Sequence, residues 1–578
     1  MSVSEEELLI LDFIEKEIGN SLPVLSDLDH YSFGYQVQDG HVIGIGLCSC
    51  ATTRILEKIV NFLFLKKLFL RRNILETIPE ELCNIKSLET LDLSENKIKE
   101  LPEAMSTMPF IKELYLESNR LSSFYGEVGA FPSLEILDLS ENNLIYFPVT
   151  LCSIAKLKSL DLSGNDIVEL PERIGALSSL EILFLANNKI KSLPDSISTL
   201  TSLKRLSLRN NELLSLPHNF GDIISLKYLF LKGNQLSELP ESIGKLKKLI
   251  YLGLPSNELE ILPNSIGSLT SLETLNLSHN NLIKLPNSIG TLNSLLRLEI
   301  SDNSLTKLPD SIGLLVALRF LLGLDRNKLR ELPESIGNLK SLKNIRLDQN
   351  ELKKLPESIG NLTSLLNLDL YDNRIKNLPE SIGLLSSLES LDLSKNQLIT
   401  LPESIGSLSS LQQLDLSSNN INQLVGSIGK LPLLKILILG FNKLETIPKA
   451  IGYLSKLEIL DLGKNNLSNV PDSIGSLQSL KYLYLYYNQL ESVPTTIGSL
   501  SSLKYLYLGN NKINMLPESI GSLKKLKYLF LRINKLSNLP KSIESLTSLK
   551  YINLEKNEIK ELADSLNILE SKGVKIFI

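Results

Sequence analysis

Asparagine recurs along this chain with a fixed period. It occupies position 73 and then every 23rd residue up to position 303, resumes at 327 after one step of 24, and continues in steps of 23 to position 557, which makes 22 asparagines. Cys50 lies one period before Asn73 and extends the count to 23 units. A constant period of this length indicates a stack of similar structural units and not a set of unrelated domains.

Each unit carries apolar residues in the order LxxLxLxxNxL. Of 24 prolines, 19 lie six residues after one of the periodic asparagines, and 16 glycines lie ten residues after one. The xLxLx segment alternates as a strand does, so its two leucines are expected to point into a core. The asparagine amide is expected to turn inward and pair with backbone groups. The proline should start a short helical turn, and the glycine should allow that turn to end.

A single unit cannot bury its own leucines, whereas stacked neighbours can. The pattern therefore predicts an α/β solenoid of horseshoe shape, with a concave parallel β-sheet and short helical turns on the convex side. Leu91, Leu93, Leu391 and Leu393 should be buried, and the aspartates between them, Asp92 and Asp392, should be exposed on the inner face.

The units resemble leucine-rich repeats. The 23-residue form, as in LPESIGNLTSLLNLDLYDNRI, is similar to the Ras-suppressor and Scribble-type proteins, to the plant Ras-group intracellular proteins and to long prokaryotic arrays of the same unit. The resemblance covers residues 40–562. It implies protein–protein binding in signalling, with a small GTPase, a phosphatase or another signalling component as the partner. It implies no fixed chemistry, because function is not set by a fold alone.

Residues 1–40 are predicted to be an acidic capping segment ahead of the repeats. Ser4 and Glu7 have capping-box spacing and precede apolar residues of helical period, which predicts a helix over residues 4–19. An irregular link should then lead to a first strand at residues 41–47. These 40 residues contain nine acids and one base, which gives them a net charge of −8, whereas the whole chain has a net charge of −5. A docking role for this segment is the alternative to capping.

The repeats are predicted to span residues 41–562, and residues 563–578 to form a C-terminal cap with a helix and a last strand. One extra residue in LRFLLGLDRN, residues 318–327, predicts a bulge or kink inside that strand. A tolerated slip and a hinge or binding feature are both compatible with it. The repeat proline is replaced at three places: Tyr125, Val425 and Ala563.

The sequence offers no catalytic or cofactor chemistry. It lacks GxxxxGK[ST], GxGxxG, HExxH and GxSxG, and its four histidines fall in units far apart. Cys48 and Cys50 have no second pair of ligands nearby, and Cys83 and Cys152 share one repeat position, which indicates packing. We therefore expect no enzyme, no cofactor and no metal. Reduced thiols, the acidic N-terminus and the absence of a long apolar run predict a cytoplasmic protein without a membrane span.

The solvent-facing positions of a unit lie six, four, two and one before its asparagine, because side chains alternate along a strand. In most units these positions are small or acidic, but in the last four they are aromatic. We call this set the tyrosine patch: Tyr482, Tyr484, Tyr486, Tyr487, Tyr505, Tyr507, Tyr528, Phe530 and Tyr551. Tyrosine is large, rigid and amphipathic and anchors many interfaces, so the patch is predicted to bind a partner.

Three other interpretations of the patch remain open. The rings could simply pack across strands and be copied by duplication of units. They could mediate self-association of a structural array. They could stack on single-stranded nucleic acid, although the few basic residues at the edge, Lys464, Arg532 and Lys556, argue against it.

Two smaller clusters mix aromatic and basic residues at the same positions. The Arg205 cluster comprises Arg205, Arg209, Tyr228, Phe230, Lys232 and Tyr251. The Lys67 cluster comprises Lys67, Phe69, Arg71, Arg72 and Tyr115. Each could meet an acidic partner or fold against the acidic N-terminal segment. The sequence as a whole predicts an interaction scaffold whose partner is another protein.

Overall fold

The computed structural model describes residues 3–50, 54–124, 131–559 and 564–578. Tyr125 and Ala563, two of the replacements of the repeat proline, lie outside these residues. The chain forms two compact units, Met1–Asn281 and Leu282–Ile578.

The first unit is a sheet with short helical turns behind it. Its strands are β1 (Phe33–Gln38), β2 (His41–Leu47), β3 (Lys67–Phe69), β4 (Thr90–Asp92), β5 (Glu113–Tyr115), β6 (Ile136–Asp138), β7 (Ser159–Asp161), β8 (Ile182–Phe184), β9 (Arg205–Ser207), β10 (Tyr228–Phe230), β11 (Tyr251–Gly253) and β12 (Thr274–Asn276). β1 is antiparallel to β2, and from β2 onward each strand is parallel to the next. The α-helices are α1 (Glu5–Ile18) and α2 (Leu56–Ile59).

The second unit repeats the same arrangement. Its strands are β13 (Arg297–Glu299), β14 (Leu321–Gly323), β15 (Asn344–Arg346), β16 (Asn367–Asp369), β17 (Ser390–Asp392), β18 (Gln413–Asp415), β19 (Ile436–Ile438), β20 (Ile459–Asp461), β21 (Tyr482–Tyr484), β22 (Tyr505–Tyr507), β23 (Tyr528–Phe530), β24 (Tyr551–Asn553) and β25 (Lys575–Phe577). Each is parallel to the next. Helix α3 is Asp564–Ser571.

The helical turns are 3₁₀ helices of three to five residues. In the first unit they are Glu80–Asn84, Glu103–Thr107, Val149–Ser153, Glu172–Ala176, Asp195–Thr199, Phe220–Asp222, Glu241–Lys245 and Asn264–Ser268. In the second they are Asn287–Thr291, Asp310–Leu314, Glu334–Asn338, Glu357–Asn361, Glu380–Leu384, Glu403–Ser407, Gly426–Lys430, Lys449–Tyr453, Asp472–Ser476, Thr495–Ser499, Glu518–Ser522 and Lys541–Ser545. Parallel strands and short turns confirm the predicted α/β solenoid.

The leucines of each strand form the core. Leu91, Leu93, Leu391 and Leu393 are all 0–1% exposed, as the alternation predicted. Isoleucine and leucine from the turns complete the same layer, for example Ile336 at 1% exposure. Stacking of the repeats therefore buries apolar side chains that a single repeat would leave exposed to water.

The periodic asparagines join neighbouring repeats, as predicted. The Asn373 amide donates to Leu347 O at 2.9 Å and to Leu370 O at 3.1 Å, while its carbonyl accepts from Leu352 N at 3.0 Å. Asn373 is 6% exposed, and the other asparagines of the series are nearly all as buried. Each amide thus satisfies backbone groups in two repeats where the chain leaves the strand.

The predicted role of the glycines is wrong. Most turns begin directly after their proline, for example after Pro333 with φ −71°, but Gly337 lies inside the turn and has no positive φ. A Cβ at Gly337 would lie 2.4 Å from Ser358 O of the next turn. Glycine is therefore required because neighbouring turns approach closely. The positive φ falls instead on the residue before each asparagine, such as Asp372 at 54°.

The N-terminal cap contains more structure than predicted. Helix α1 begins after Ser4, whose hydroxyl accepts from Glu7 N, and ends at Gly19 in the left-handed conformation, as predicted. The link to residue 41 is not irregular throughout, because it includes β1, whose pairing protects the edge of β2. The predicted last strand is present as β25 beside β24.

The extra residue near 322 lies outside the strand, contrary to the prediction. β13 pairs with β14 without a register shift, Leu298 opposite Leu322. The additional length falls just before β14, where the amides of Arg319 and Phe320 both donate to Leu296 O, at 3.2 and 3.0 Å. The strand keeps its register because its leucines must still enter the core. The extra residue is accommodated just before the strand begins.

Candidate functional site

The tyrosine patch lies on the solvent face of β21 to β24 in the second unit. On β21, β22 and β23 an aromatic residue lies on either side of a leucine, and on β24 Tyr551 precedes Ile552. The rings are half-buried and the aliphatic residues are fully buried. Parallel pairing places Tyr482 opposite Tyr505 and Tyr484 opposite Tyr507. The structure thus brings together residues that are 23 positions apart in sequence.

The rings form two stacked rows that run across the strands. In one row, the ring centroids of Tyr482 and Tyr505, and of Tyr505 and Tyr528, are 4.7 Å apart with interplanar angles of 12° and 5°. In the other row, Tyr507 lies 4.7 Å from Tyr484 and 4.3 Å from Phe530, at 18° and 4°. The regular strand spacing of the sheet, about 4.8 Å, sets this distance.

Both rows meet at Tyr551. Its ring lies 6.3 Å from Tyr528 and 5.1 Å from Phe530, and Phe577 on β25 follows at 5.1 Å. Phe577 is 44% exposed and extends the patch by one strand. The sequence analysis missed it, although the strand pattern of VKIFI could have revealed it.

This stacking determines which parts of the rings a ligand can contact. The inner rings, such as Tyr507, have a neighbouring ring on each face, so their free parts are the ring edges and the phenol hydroxyls. The edge of an aromatic ring is electropositive and the hydroxyl both donates and accepts hydrogen bonds. The patch therefore presents the hydroxyls of its tyrosines above an apolar base.

Tyr486 and Tyr487 form one border of the patch. A Cβ at Gly463 would lie 2.3 Å from the Tyr486 ring, so this glycine makes room for the ring to lie back over β20. Tyr487 has the positive φ of its repeat position, 52°, and is 52% exposed. The Lys464 ammonium lies 5.4 Å from the Tyr487 ring centroid and 4.2 Å from that of Phe441. Phe441, 49% exposed, is a second aromatic residue that the sequence analysis did not include.

The two central tyrosines of the patch, Tyr484 and Tyr507, do not ionise near neutral pH. Burial, the neighbouring Tyr507 and Asp461 raise the pKa of Tyr484 above its usual value near 10, and burial does the same for Tyr507. Of the basic residues at the edge, Arg532 lies 3.3 Å from Glu555. The patch is thus a neutral, hydrogen-bonding aromatic surface.

The Arg205 cluster is brought together on β9, β10 and β11 of the first unit. The Arg205 guanidinium lies 4.8 Å from the Tyr228 ring centroid, and that of Arg209 lies 4.4 Å from the Phe230 centroid. Phe230 also contacts Tyr251 at 4.9 Å. Arg205, Arg209 and Lys232 are exposed.

The Lys67 cluster is covered by the chain itself. Residues 27–32, which we call the covering segment, lie on the solvent face of β3, β4 and β5. The Lys67 ammonium bonds Asp27 at 3.1 Å, and the Arg71 guanidinium lies 5.0 Å from the Tyr31 ring centroid. The sequence left open whether this cluster meets an acidic partner or the N-terminal segment. In the structure the N-terminal segment covers it.

His30 is the centre of the covering segment. Its Nδ1 lies 2.8 Å from Asp92 Oδ2, and its ring meets those of Tyr115 and Phe69 edge-on at 4.5 and 5.5 Å. The hydrogen bond with Asp92 raises the pKa of His30. Arg72, with its ion pair to Glu95 at 2.6 Å, borders the segment.

Asp92 is fully buried, which corrects the prediction that it would be exposed. It does lie on the solvent side of β4, between the core leucines Leu91 and Leu93, but the covering segment excludes water from it. Asp392, at the same repeat position in the second unit, is half-buried as the alternation requires. The sequence pattern gave the direction of the side chain correctly and could not show the cover.

A run of acids occupies the solvent face of β14 to β18. Burial and repulsion from Asp369 and Asp325 raise the pKa of Asp348 to about 6, and burial raises that of Asp415. Within the described ranges, no group of three or more His, Cys, Asp or Glu side chains is placed to hold a metal ion.

The geometry defines a repeat solenoid with an aromatic surface. Family models assign it further: the one described as a leucine-rich repeat region matches residues 122–226, 214–307, 310–397 and 491–571. A second, leucine rich repeat, matches residues 65–121, 432–490 and 455–513. The chain belongs to the leucine-rich repeat family. Members generally mediate protein–protein interaction.

Solved structures share the fold. A leucine-rich repeat protein from Leptospira interrogans is 31% identical, with 77% of this chain and 96% of that chain covered and a TM-score of 0.55. The plant peptide hormone receptor RGFR1, in complex with RGF2, is 27% identical over 92% of this chain and 89% of that one, with a TM-score of 0.71. PEPR1 with AtPEP1 is 29% identical over 93% and 82%, with a TM-score of 0.66. No curated protein matches the chain.

Among the described residues, no helix combines the length and apolarity that crossing a bilayer requires.

Proposed function

We propose that this chain is a non-enzymatic scaffold that binds a peptide or protein segment on the tyrosine patch. The observation that carries the proposal is the pair of ring rows on β21 to β24, half-exposed and continuous over four strands. Contiguous aromatic surface of this kind usually marks a contact site, since burying it releases water from a large apolar area.

The ring geometry favours a polypeptide over nucleic acid. Base stacking requires free ring faces, and the faces of Tyr507 are already covered by Tyr484 and Phe530. The phenol hydroxyls both donate and accept hydrogen bonds, so they suit the alternating carbonyl and amide groups of an extended backbone. The proposal also draws on the solved relatives, because RGFR1 and PEPR1 are each described with a peptide bound.

Two substitutions at Tyr507 test the proposal. Tyr507→Phe keeps the stacked ring and removes the hydroxyl, so it should weaken binding by about 1 kcal/mol and leave folding unchanged. Tyr507→Ser removes the ring and should weaken binding by about 1–3 kcal/mol, the scale of an interface hot spot. Affinity for partners captured by the wild-type chain would be measured by calorimetry, with thermal unfolding alongside.

Gln413→Ala is the matched control, because Gln413 is exposed at the same face on β18. It should change neither binding nor folding. If Tyr507→Ser lowers stability while every captured partner still binds normally, the rings serve only to pack across strands and the binding site lies elsewhere.

The proposed setting is intracellular signalling in the cytoplasm, with a small GTPase, a phosphatase or a related component as the partner. All four cysteines, Cys48, Cys50, Cys83 and Cys152, are free thiols, and burial raises the pKa of Cys83 and Cys152 to about 11. Unpaired thiols are usual in a reducing compartment. Fractionation of cells that produce the protein, together with proximity labelling, tests this: recovery outside the cytoplasm would refute it.

Self-association through the patch is the competing function. Phe441, Tyr487 and Phe577 expose large apolar area at its borders. Mass measured against concentration separates the two. A mass that stays at one chain supports a scaffold for another protein, whereas a concentration-dependent rise that Tyr507→Ser abolishes supports an array.

A further inference from the structure

The Arg205 cluster holds positive charge that the chain does not neutralise. Arg205, Arg209 and Lys232 are exposed, and no carboxylate of the described residues lies within ion-pair distance of any of them. The two guanidiniums lie instead over the rings of Tyr228 and Phe230, at 4.8 and 4.4 Å from the ring centroids.

This arrangement differs from that of every other arginine at the solvent-facing strand positions of the described residues. There are eight such arginines, and six have a carboxylate partner. The pairs are Arg71 with Glu95 and Glu117, Arg72 with Glu95, Arg297 with Glu299, Arg326 with Asp302, Arg346 with Asp325 and Arg532 with Glu555. Arg205 and Arg209 are the two that remain.

The aromatic rings hold both guanidiniums in an orientation that favours binding of an anion. A guanidinium over an aromatic face is held by cation–π attraction while its N–H groups point outward in its own plane. The side chain therefore loses less conformational freedom when it binds a carboxylate in bidentate fashion. Tyr251, in contact with Phe230 at 4.9 Å, fixes the ring beneath Arg209 in turn.

We propose that the Arg205 cluster is a second binding site, for an extended acidic peptide segment with carboxylates at every other residue. Tyr228 and Phe230, which support the two guanidiniums, are two residues apart on β10 and so about 6.6 Å apart along the strand. Alternate side chains on one face of an extended peptide have the same spacing. Lys232, beside Arg209 on the next strand, supplies a third positive charge.

Labelled nine-residue peptides test the site on the full chain by fluorescence anisotropy. One peptide has glutamates at alternate positions, a second has the same glutamates in one consecutive run, and a third has glutamine in their place. We expect the alternating peptide to bind at least tenfold more tightly than the glutamine peptide and severalfold more tightly than the consecutive one. Its affinity should fall as salt rises from 50 to 200 mM, because the contacts are ionic.

Three variants assign the binding to these side chains. Arg209→Gln and Arg205→Gln should each weaken the alternating peptide at least fivefold. Arg209→Lys keeps the positive charge but loses the planar guanidinium that binds a carboxylate through two N–H groups. Its affinity for the alternating peptide should lie between those of the wild type and Arg209→Gln. Arg297→Gln is the control, since Arg297 has the corresponding position on β13 but already pairs with Glu299 at 3.2 Å. Because these arginines are exposed, unfolding midpoints should not move.

Equal affinity of the three peptides, or binding that is insensitive to Arg205→Gln and Arg209→Gln, would overturn the proposal. So would tighter binding of a single-stranded oligonucleotide of equal charge that is lost in Arg209→Gln, which would assign the cluster to nucleic acid. The outcome is separate from that of the tyrosine patch: Tyr507→Ser should leave the alternating peptide bound, and Arg209→Gln should leave patch ligands bound.

Discussion

The solvent faces of β3–β5 and of β21–β24 are built from the same positions of the same repeat. Within the part of the chain that the structure describes, a separate segment covers only the first. The covering segment places His30 on Asp92 and Tyr31 beneath Arg71, and Phe69 is left 4% exposed. On β21–β24 the corresponding rings contact one another and Phe577 of the adjacent strand β25. Tyr487 at the border is 52% exposed.

This difference separates two uses of an aromatic residue on a repeat sheet. In the Lys67 cluster, aromatic and basic side chains hold an acidic segment of the same chain, so they serve the fold. In the tyrosine patch, no segment of the described chain covers similar side chains in this way, and we propose that they serve recognition. The Arg205 cluster combines aromatic and basic residues as the Lys67 cluster does, but it is exposed as the tyrosine patch is.

The largest effect is expected from truncating the aromatic residue four positions before the asparagine in each region. Phe69→Ala should lower the free energy of unfolding by about 3 kcal/mol, because it removes a buried ring beneath the covering segment. Tyr507→Ala should lower it by about 1–2 kcal/mol, because two stacking contacts are lost from a half-exposed ring. Urea unfolding measures both. Equal costs would mean that the covering segment adds nothing to stability.

A smaller difference is expected between the aspartates at that position. Asp92→Asn should cost about 2 kcal/mol, because Asp92 is fully buried and bonds both His30 and Ser94 N. Asp392→Asn should cost less than about 1 kcal/mol, since among the described residues the half-buried Asp392 accepts hydrogen bonds from Ser394 alone and is repelled by Asp369. A larger loss in Asp392→Asn would contradict the assignment of the cover to β3–β5.

The asparagine series should not distinguish the two regions. Asn96→Ala and Asn373→Ala should each cost about 1–3 kcal/mol, because each leaves buried backbone groups of two repeats without partners. Hydrogen exchange should rise near the substituted repeat and its neighbours and stay unchanged elsewhere. Arg374→Ala, which removes an exposed side chain beside Asn373, is the control. Unchanged exchange near residue 373 would refute the structural role of the series.

The smallest effect is a pH dependence confined to the covered region. The hydrogen bond to Asp92 raises the pKa of His30, whereas burial and Arg71 oppose this and Glu113 supports it. A raised pKa means that protonated His30 stabilises the folded segment fully below its unfolded pKa of about 6.5. That stabilisation is lost as pH rises through the raised value.

Hydrogen-exchange protection of residues 27–35 should therefore be higher at pH 5.5 than at pH 8.5. His30→Gln should remove the difference, and protection of β21 and β22 should serve as the internal reference. Burial raises the pKa of Tyr484 and Tyr507 there above the usual value near 10, so neither ring ionises in this range. A change of equal size in both regions would show that His30 is not its source.

Much of the fold could be predicted because the repeat specifies it locally. Leu91 and Leu391 had to be buried, and Asn373 had to bond backbone groups, because alternation and polar satisfaction leave no other arrangement. The position of the tyrosine rings on the solvent face followed from the same alternation. Their stacking into two rows followed from the parallel register, which the constant period imposes.

The errors share one cause, which is contact between parts of the chain that the repeat does not describe. Gly337 is fixed by the approach of Ser358 in the next turn, and no property of glycine in its own turn indicated this. The extra residue near 322 was absorbed ahead of β14 because the core leucines held the strand in register. Asp92 was buried by residues about 60 positions earlier.

The sequence by itself determined the repeat, the core and the face on which each side chain lies, because these depend on short-range periodicity and on burying leucine. Tertiary structure alone decided which solvent-facing residues remain accessible. Acidic residues of the N-terminal segment could in principle pair with any basic cluster of the solenoid, and charge does not select among them. The antiparallel pairing of β1 with β2 selects the cluster, because it places the N-terminal segment beside the first parallel strands. There the segment reaches Lys67 and Asp92 and does not reach Arg205.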